Sequence, residues 1–286
     1  MCRLHSALLT LLLAVCAVGT SAFASETSLI FTTLAGSPGS IVNSADGTGS
    51  AAQFSAPRGV AVDSAGNVYV ADSGNHTVRK VTSGGVVTTV AGTAGSTATV
   101  VAVPPGFHEP FSVAVDSAGT VYVADTNNAA IRKISPSGVV TTLAGGNGSG
   151  YADGVGSAAK FHEPRGIALD GSGNLYVADY ENNLVRKVTA AGVVTTLAGG
   201  YNTPGTTDGQ GTNARFMLLN GIAVDSAGNV FVADAGARAI RKITASGLVT
   251  TFAGGATTGQ FGEPRGIAVD SSGNVFVADY SAHVIL

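Results

Sequence analysis

The residues of this chain that are able to do chemistry are few, and most recur at fixed spacing. Ten of the 18 acidic residues are two aspartates repeated five times: Asp63, Asp72, Asp116, Asp125, Asp170, Asp179, Asp225, Asp234, Asp270 and Asp279. Eight basic residues form Arg-Lys pairs at 79–80, 132–133, 186–187 and 241–242. A site on a pseudo-symmetric scaffold has to break the symmetry. Carboxylates and guanidinium groups present in every copy are therefore read as serving the copy itself.

Positions that differ between copies carry the functional expectation. The residue ahead of each copy is Arg58, Phe111, Arg165, Asn220 or Arg265. The fourth residue after the second aspartate is His76, Ala129, Asn183, Arg238 or His283, with Tyr180, Glu181 and Tyr280 close by in sequence. From these the candidate ligand or partner site is Arg58, Arg165, Arg265, His76, Tyr180, Tyr280 and His283. Three arginines together suit an anionic group such as a carboxylate or sulfate. The competing reading spends Arg165 and Arg265 on Glu163 and Glu263, two residues back.

Other chemistries are weighed against the same repeats. His76, His108, His162 and His283 are all expected on one face, where zinc would be held between blades. Yet His108 and His162 both sit in a recurring Phe-His-Glu-Pro loop. Asp46, Asp153 and Asp208 open Asp-Gly-x-Gly loops, each offering one carboxylate, whereas calcium takes about six to eight oxygens. There is no nucleophile elbow, phosphate loop or HExxH motif. No catalytic residue, metal or cofactor is expected, and enzymatic activity stays open.

The elements that must position these residues follow from the repeat. Gly59 to Asp72 returns at Ser112, Gly166, Gly221 and Gly266, at a spacing of 45 to 55 residues. Each copy reads as four strands; in the first these are 60–62, 68–71, 77–81 and 86–90. They are bounded by Gly, Asn, Asp and Ser, which favour turns. Gly66 takes the left-handed turn position. The second strand is apolar on both faces, so sheets must pack on sheets. Four-stranded units stacked this way form a β-propeller. Between copies, Asp46 to Phe54 recurs at 153–161 and 208–216. It reads as a glycine turn and one helical turn, with the phenylalanine wedged under a blade.

Three segments carry a resemblance to the NHL repeat family: Pro57-Arg-Gly-Val-Ala-Val-Asp63, Gly66-Asn-Val-Tyr-Val-Ala-Asp72 and Asn75-His-Thr-Val-Arg-Lys-Val81. It spans about residues 31 to 286. It implies an all-β propeller of five NHL-type blades at about 57–92, 110–146, 164–200, 219–255 and 264–286. A truncated six-bladed ring is the alternative. Leu29 to Gly36 matches the fourth-strand sequence Gly192 to Gly199, so it is expected to close the ring. Propellers of this kind host scaffolds, ligand sensors and a few enzymes. The expected function is an extracytoplasmic binding or scaffold module acting through one face. The alternative is a metal-assisted hydrolase or lyase, lactonase-like or amidating-lyase-like. The inner strands (Val60-Ala-Val, Val113-Ala-Val, Ile167-Ala-Leu, Ile222-Ala-Val, Ile267-Ala-Val) give a metal no ligands.

Composition sets the remaining bounds. The chain has 40 glycines in 286 residues and is 12% charged, against about 25% in ordinary globular chains. Residues 1–24 read as a cleavable export leader, with an apolar stretch from Ala7 to Val18 and cleavage after Ala22-Phe23-Ala24. Cys2 and Cys16 both lie inside it, which leaves an exported periplasmic or extracellular protein without disulfides. The stretch is too short to stay as a membrane anchor. A net charge of −3, lower still without Arg3, argues against nucleic acid. A protein, a glycan or a small anionic ligand remain as partners, for a chain expected to act as a monomer.

Overall fold

The computed structural model describes residues 32–37, 44–95, 106–255 and 258–286. The expected leader, with both cysteines, lies outside them, as do residues 29–31 of the expected closing strand.

Five antiparallel sheets follow one another as the blades of a propeller. Blade one consists of Pro57–Val62, Val68–Asp72, Thr77–Val81 and Val86–Gly92. Blade two is Pro110–Val115, Val121–Asp125, Ala130–Ile134 and Val140–Gly145. Blade three is Pro164–Leu169, Leu175–Asp179, Leu184–Val188 and Val193–Ala198. Blade four is Leu219–Val224, Val230–Asp234, Ala239–Ile243 and Leu248–Gly254. Blade five has Pro264–Val269, Val275–Asp279 and the short Val284–Ile285. Short strands at Gly47–Thr48, Gly154–Val155 and Gly209–Gln210 add an outer edge to blades one, three and four. Each runs into a single 3-10 turn.

The repeated polar residues build this frame. Asp63 Oδ1 accepts the Ala65 and Asn67 amides at 3.0 and 2.8 Å, and Gly66 supplies φ 80°. This closes the turn between the first two strands in the way an aspartate favours. The second aspartate is buried and meets the arginine of the third strand. Arg79 bonds Asp72 at 2.9 Å and Asp46 at 2.7 Å, while Asp46 also takes the Thr89 amide and hydroxyl. Arg186 and Arg241 repeat the pattern with Asp179 and Asp153, and with Asp234 and Asp208. The Asp-Gly-x-Gly carboxylates are thus spent on tying the inter-blade loop to the sheet.

Blade five has Leu286 where the others have arginine. There Asp279 accepts the Gly262 and Glu263 amides instead, at 2.6 and 2.9 Å.

Apolar packing joins consecutive blades face to face. Tyr122, Ala124 and Ile131 of blade two pack on Ile167, Leu175 and Val177 of blade three, with Phe161 fully buried beneath. The same arrangement joins one to two, three to four and four to five. The phenylalanine of the inter-blade loop is wedged as its sequence implied.

Among the described residues, blades five and one share no such cluster. Val68, Val70, Val81 and Val87 of blade one are covered by Leu34, Ala35 and Phe54. The Gly36 amide donates to Gly49 O, as Gly199 does to Gly211 O between blades three and four. Residues 34–36 therefore occupy the place of a preceding blade's fourth strand. The expectation of a closing strand is corrected in one respect. Residues 32–37 form no strand and do not pair with Val284–Ile285; Leu34 and Ala35 pack on blade one as Leu197 and Ala198 of a fourth strand pack on blade four.

Candidate functional site

The inner strands surround a central cavity of about 930 Å³. Its mouth lies where each chain segment enters its inner strand. Three prolines, Pro57, Pro164 and Pro264, start such strands and set the following arginine at the rim.

Arg165 is the most constrained of the three. Its guanidinium donates to Asn220 Oδ1 at 3.0 Å and to Glu163 Oε2 at 3.1 Å. It also lies 3.2 Å from the centroid of the Tyr180 ring, a close cation–π stack. Arg265 repeats this with Glu263 at 2.7 Å and Tyr280 at 3.6 Å. Arg58 is looser, 3.9 Å from Glu109 and 5.0 Å from the Phe111 centroid. Burial pulls Arg58 below the usual guanidinium value; Glu109 opposes this, and the charges of Arg165 and Arg265 add to it.

Each rim arginine thus faces a glutamate. The mouth is a charge-balanced ring of donors and acceptors backed by flat aromatic rings. Glu109 and Glu163 hold left-handed backbone at φ 50° and 51°, uncommon for a glutamate. Ala56 and Leu218, at the same place in blades one and four, do likewise. This conformation therefore belongs to blade entry, not to the site.

Of the residues singled out by sequence, Arg58, Arg165, Arg265, Tyr180 and Tyr280 line the cavity, and His76 and His283 do not. His76 Nδ1 accepts the Glu109 amide at 3.0 Å, and its ring meets His108 edge-on at 5.6 Å. Burial, aided by the His108 charge, lowers its pKa. His283 is exposed on the blade five turn. Both residues have left-handed φ of 58°, as do Ala129, Asn183 and Arg238 at the equivalent turns. The turn asks for that backbone and accepts several side chains.

Below the mouth the walls are Val60, Val113, Ile167, Ile222 and Ile267, as the inner-strand sequences implied. Among the described residues no group of three His, Cys, Asp or Glu is placed to hold a metal.

Two features escaped the sequence reading. Glu109 is the partner of Arg58, although it lies 51 positions away in the chain. Tyr151 and Tyr201, in the loops before blades three and four, stack at 4.7 Å with an interplanar angle of 22°. The comparable positions hold Ser44 and Thr206 for Tyr151, and Ala94 and Asn147 for Tyr201. The departure from the repeat is visible in the sequence, in the loops between blades and not in the inner strands or turns.

A family model for the NHL repeat matches residues 54–81, 107–134, 161–188 and 261–285. Human NHL repeat-containing protein 3 is 32% identical over 127 residues, covering 42% of this chain and 34% of that protein. NHL repeat-containing protein 2 of Gallus gallus is 39% identical over 92 residues, 32% of this chain and 12% of that protein. The chain thus spans about a third or less of these relatives.

Among solved structures, an auxiliary nutrient binding protein from Bacteroides thetaiotaomicron superposes with TM-score 0.64 at 16% identity, over 82% of this chain and 59% of that one. Virginiamycin B lyase from Staphylococcus aureus gives TM-score 0.54 at 15% identity, over 80% and 68%. At these identities the likeness is one of fold. No helix among the described residues is long and apolar enough to cross a membrane.

Proposed function

This chain is an NHL-repeat β-propeller, and on that premise we propose that it is an extracytoplasmic binding module that takes a neutral, polyhydroxylated ligand at the channel mouth. The observation that carries this is the pairing of every rim arginine with a glutamate. An anion entering the mouth would find Arg165 and Arg265 already satisfied by Glu163 and Glu263, and would meet the Glu263 carboxylate on the cavity lining. A hydroxyl both donates and accepts, so a glycan is served by alternating guanidinium and carboxylate groups with aromatic rings behind them. The cavity falls in the usual size range of small-ligand pockets, about 300–1,000 Å³. The nutrient-binding protein that shares the fold is consistent with this reading. The lyase shares the fold as well, but no residue of the apolar walls below the mouth supplies an acid, a base or a nucleophile.

Calorimetric titration tests the proposal. Neutral oligosaccharides are expected to bind, and acetate and sulfate to bind more weakly. The double substitution Arg165→Ala, Arg265→Ala is expected to abolish the heat. Oligosaccharide binding that survives both substitutions would place the ligand elsewhere, and preferred binding of sulfate would reverse the assignment of ligand class.

A further inference from the structure

We infer that Tyr151 and Tyr201 form an outer subsite on blade three that holds the far end of an extended glycan whose near end sits in the channel mouth. The inference rests on the glycan reading of the mouth and deepens it.

Both rings are well exposed, Tyr151 at 39% and Tyr201 at 46%, despite stacking on each other. Aromatic side chains usually bury such area unless a partner covers it. The Tyr151 hydroxyl lies 3.5 Å from Thr196 Oγ1, whose proton goes to Asp153 at 3.1 Å, and the buried Arg186 guanidinium lies 5.1 Å from the Tyr151 ring centroid. Tyr201 follows Gly199 and Gly200. The Gly199 amide is tied to Gly211 O, and a Cβ on Gly200 would lie 2.7 Å from the Arg215 guanidinium carbon. Tyr201 therefore leaves the sheet two residues after Gly199, whose φ of 103° disfavours a side chain at that position.

A chain of contacts, passing through the buried Asn182, joins this pair to the mouth across blade three. Tyr180 stacks on Arg165 at the rim. Two residues on, Asn182 donates to Gly150 O at 2.9 Å, and Tyr151 is the next residue. Strands of a sheet lie about 4.8 Å apart, so the path from first to fourth strand covers about 14 Å, a span for several sugar units. Asp153 on this path is bound to Arg186 and Thr196, and Glu181, between Tyr180 and Asn182, is an exposed carboxylate beside it. The flat rings are left to pack against the C–H faces of an uncharged sugar.

The probes are neutral β-1,4- and α-1,4-linked gluco-oligosaccharides of two to six units, titrated against the full chain. Tyr201→Ala is expected to weaken the hexasaccharide about 3- to 10-fold. It should leave the disaccharide and the melting temperature unchanged, and Tyr201→Phe should restore the hexasaccharide affinity. Arg165→Ala should weaken both lengths. If Tyr201→Ala binds the hexasaccharide as the parent does, or loses both lengths equally, the outer subsite falls and the mouth reading stands. If no member of either series binds the unmodified protein, both fall together.

Discussion

The Arg165 guanidinium stacks 3.2 Å from the Tyr180 ring centroid while its two terminal nitrogens reach Glu163 and Asn220. This geometry fixes both the orientation of the charge and its neutralisation, and the two are separable. Glu163→Gln together with Glu263→Gln would leave Arg165 and Arg265 in place over their tyrosines with no carboxylate facing them. The mouth should then recruit anions. Sulfate at matched ionic strength is expected to raise the melting temperature of the double variant and not that of the parent. Equal responses would mean that the glutamates do not set the ligand charge.

The inner strands approach each other so closely at the channel that a methyl group has no room. A Cβ on Gly166 would lie 2.4 Å from Asn220 O, and one on Gly221 the same distance from Arg265 O. Gly166→Ala should therefore push blades three and four apart and cost about 1–3 kcal/mol, the usual range for overpacking. Because Asn220 also holds Arg165, ligand affinity should fall with stability. Denaturant unfolding that shows no loss would mean that the strands separate freely.

Much of this architecture is legible in the sequence. The 45- to 55-residue return of Val-Tyr-Val-Ala-Asp and its variants gives stacked blades, because a strand apolar on both faces must be sandwiched. The Asp63 turn and the buried phenylalanines follow from local chemistry. Contacts between blades are harder to read. The Arg79–Asp46 bridge spans 33 residues and a loop of variable length, and the Arg58–Glu109 pair crosses from one blade to the next. The tail at 34–36 takes the place of a fourth strand against blade one, but sequence likeness does not say whether a third strand stands ready to pair with it.

The two members of each Arg-Lys pair have opposite roles. Arg186 is fully buried between Asp179 and Asp153, whereas Lys187 points outward, 5.8 Å from the Tyr176 centroid. Arg186→Met leaves Asp179 buried without its cation and is expected to cost about 3–5 kcal/mol. Lys187→Ala is expected to stay within about 0.5 kcal/mol of the parent. Similar losses for the two would contradict the burial seen here.

Stability should peak in mildly acidic solution. Burial pushes Asp179 and Asp234 up to about 6, outweighing their bonds to arginine. The folded state then holds protons that the unfolded chain releases, so these groups add stability as pH falls from about 6 towards 4. The turn aspartates behave oppositely. Slight burial raises Asp170 and Asp225, but the side-chain and backbone N–H groups of Asn174 and Asn229 outweigh it and hold them below 3.8. Their contribution is present above that pH and is lost as it falls further. Melting temperature should rise from pH 7 to about 5 and drop below about 4. Asp179→Asn should flatten the upper limb. A melting temperature that falls steadily from pH 7 downward would show that the buried pairs stay ionised throughout.

The unshared faces at the junction of blades five and one predict where the fold opens first. The aromatic residue of the second strand is nearly buried in four blades, at 6% for Tyr69 and Tyr122 and 4% for Tyr176 and Phe231. Phe276 at the same place in blade five is only half-buried. Its neighbouring strand, Val284–Ile285, is held by few bonds, among them the reciprocal pair between Val277 and Leu286 at 2.8 and 2.9 Å. Local opening follows low packing and a short ladder. Amide exchange should therefore be fastest in blade five and slowest in blades two, three and four, which are sandwiched on both faces. Blade one should lie between them because Leu34 and Ala35 shield its open face. Ala35→Asp would place a carboxylate against Val68, Val70 and Val87, at a cost of at least about 2 kcal/mol. That substitution should bring exchange in 68–72 and 77–81 up towards the blade five rate and leave blades three and four unmoved. Uniform acceleration across all five blades would mean that the propeller opens as one cooperative unit and that the tail does not guard one face of it.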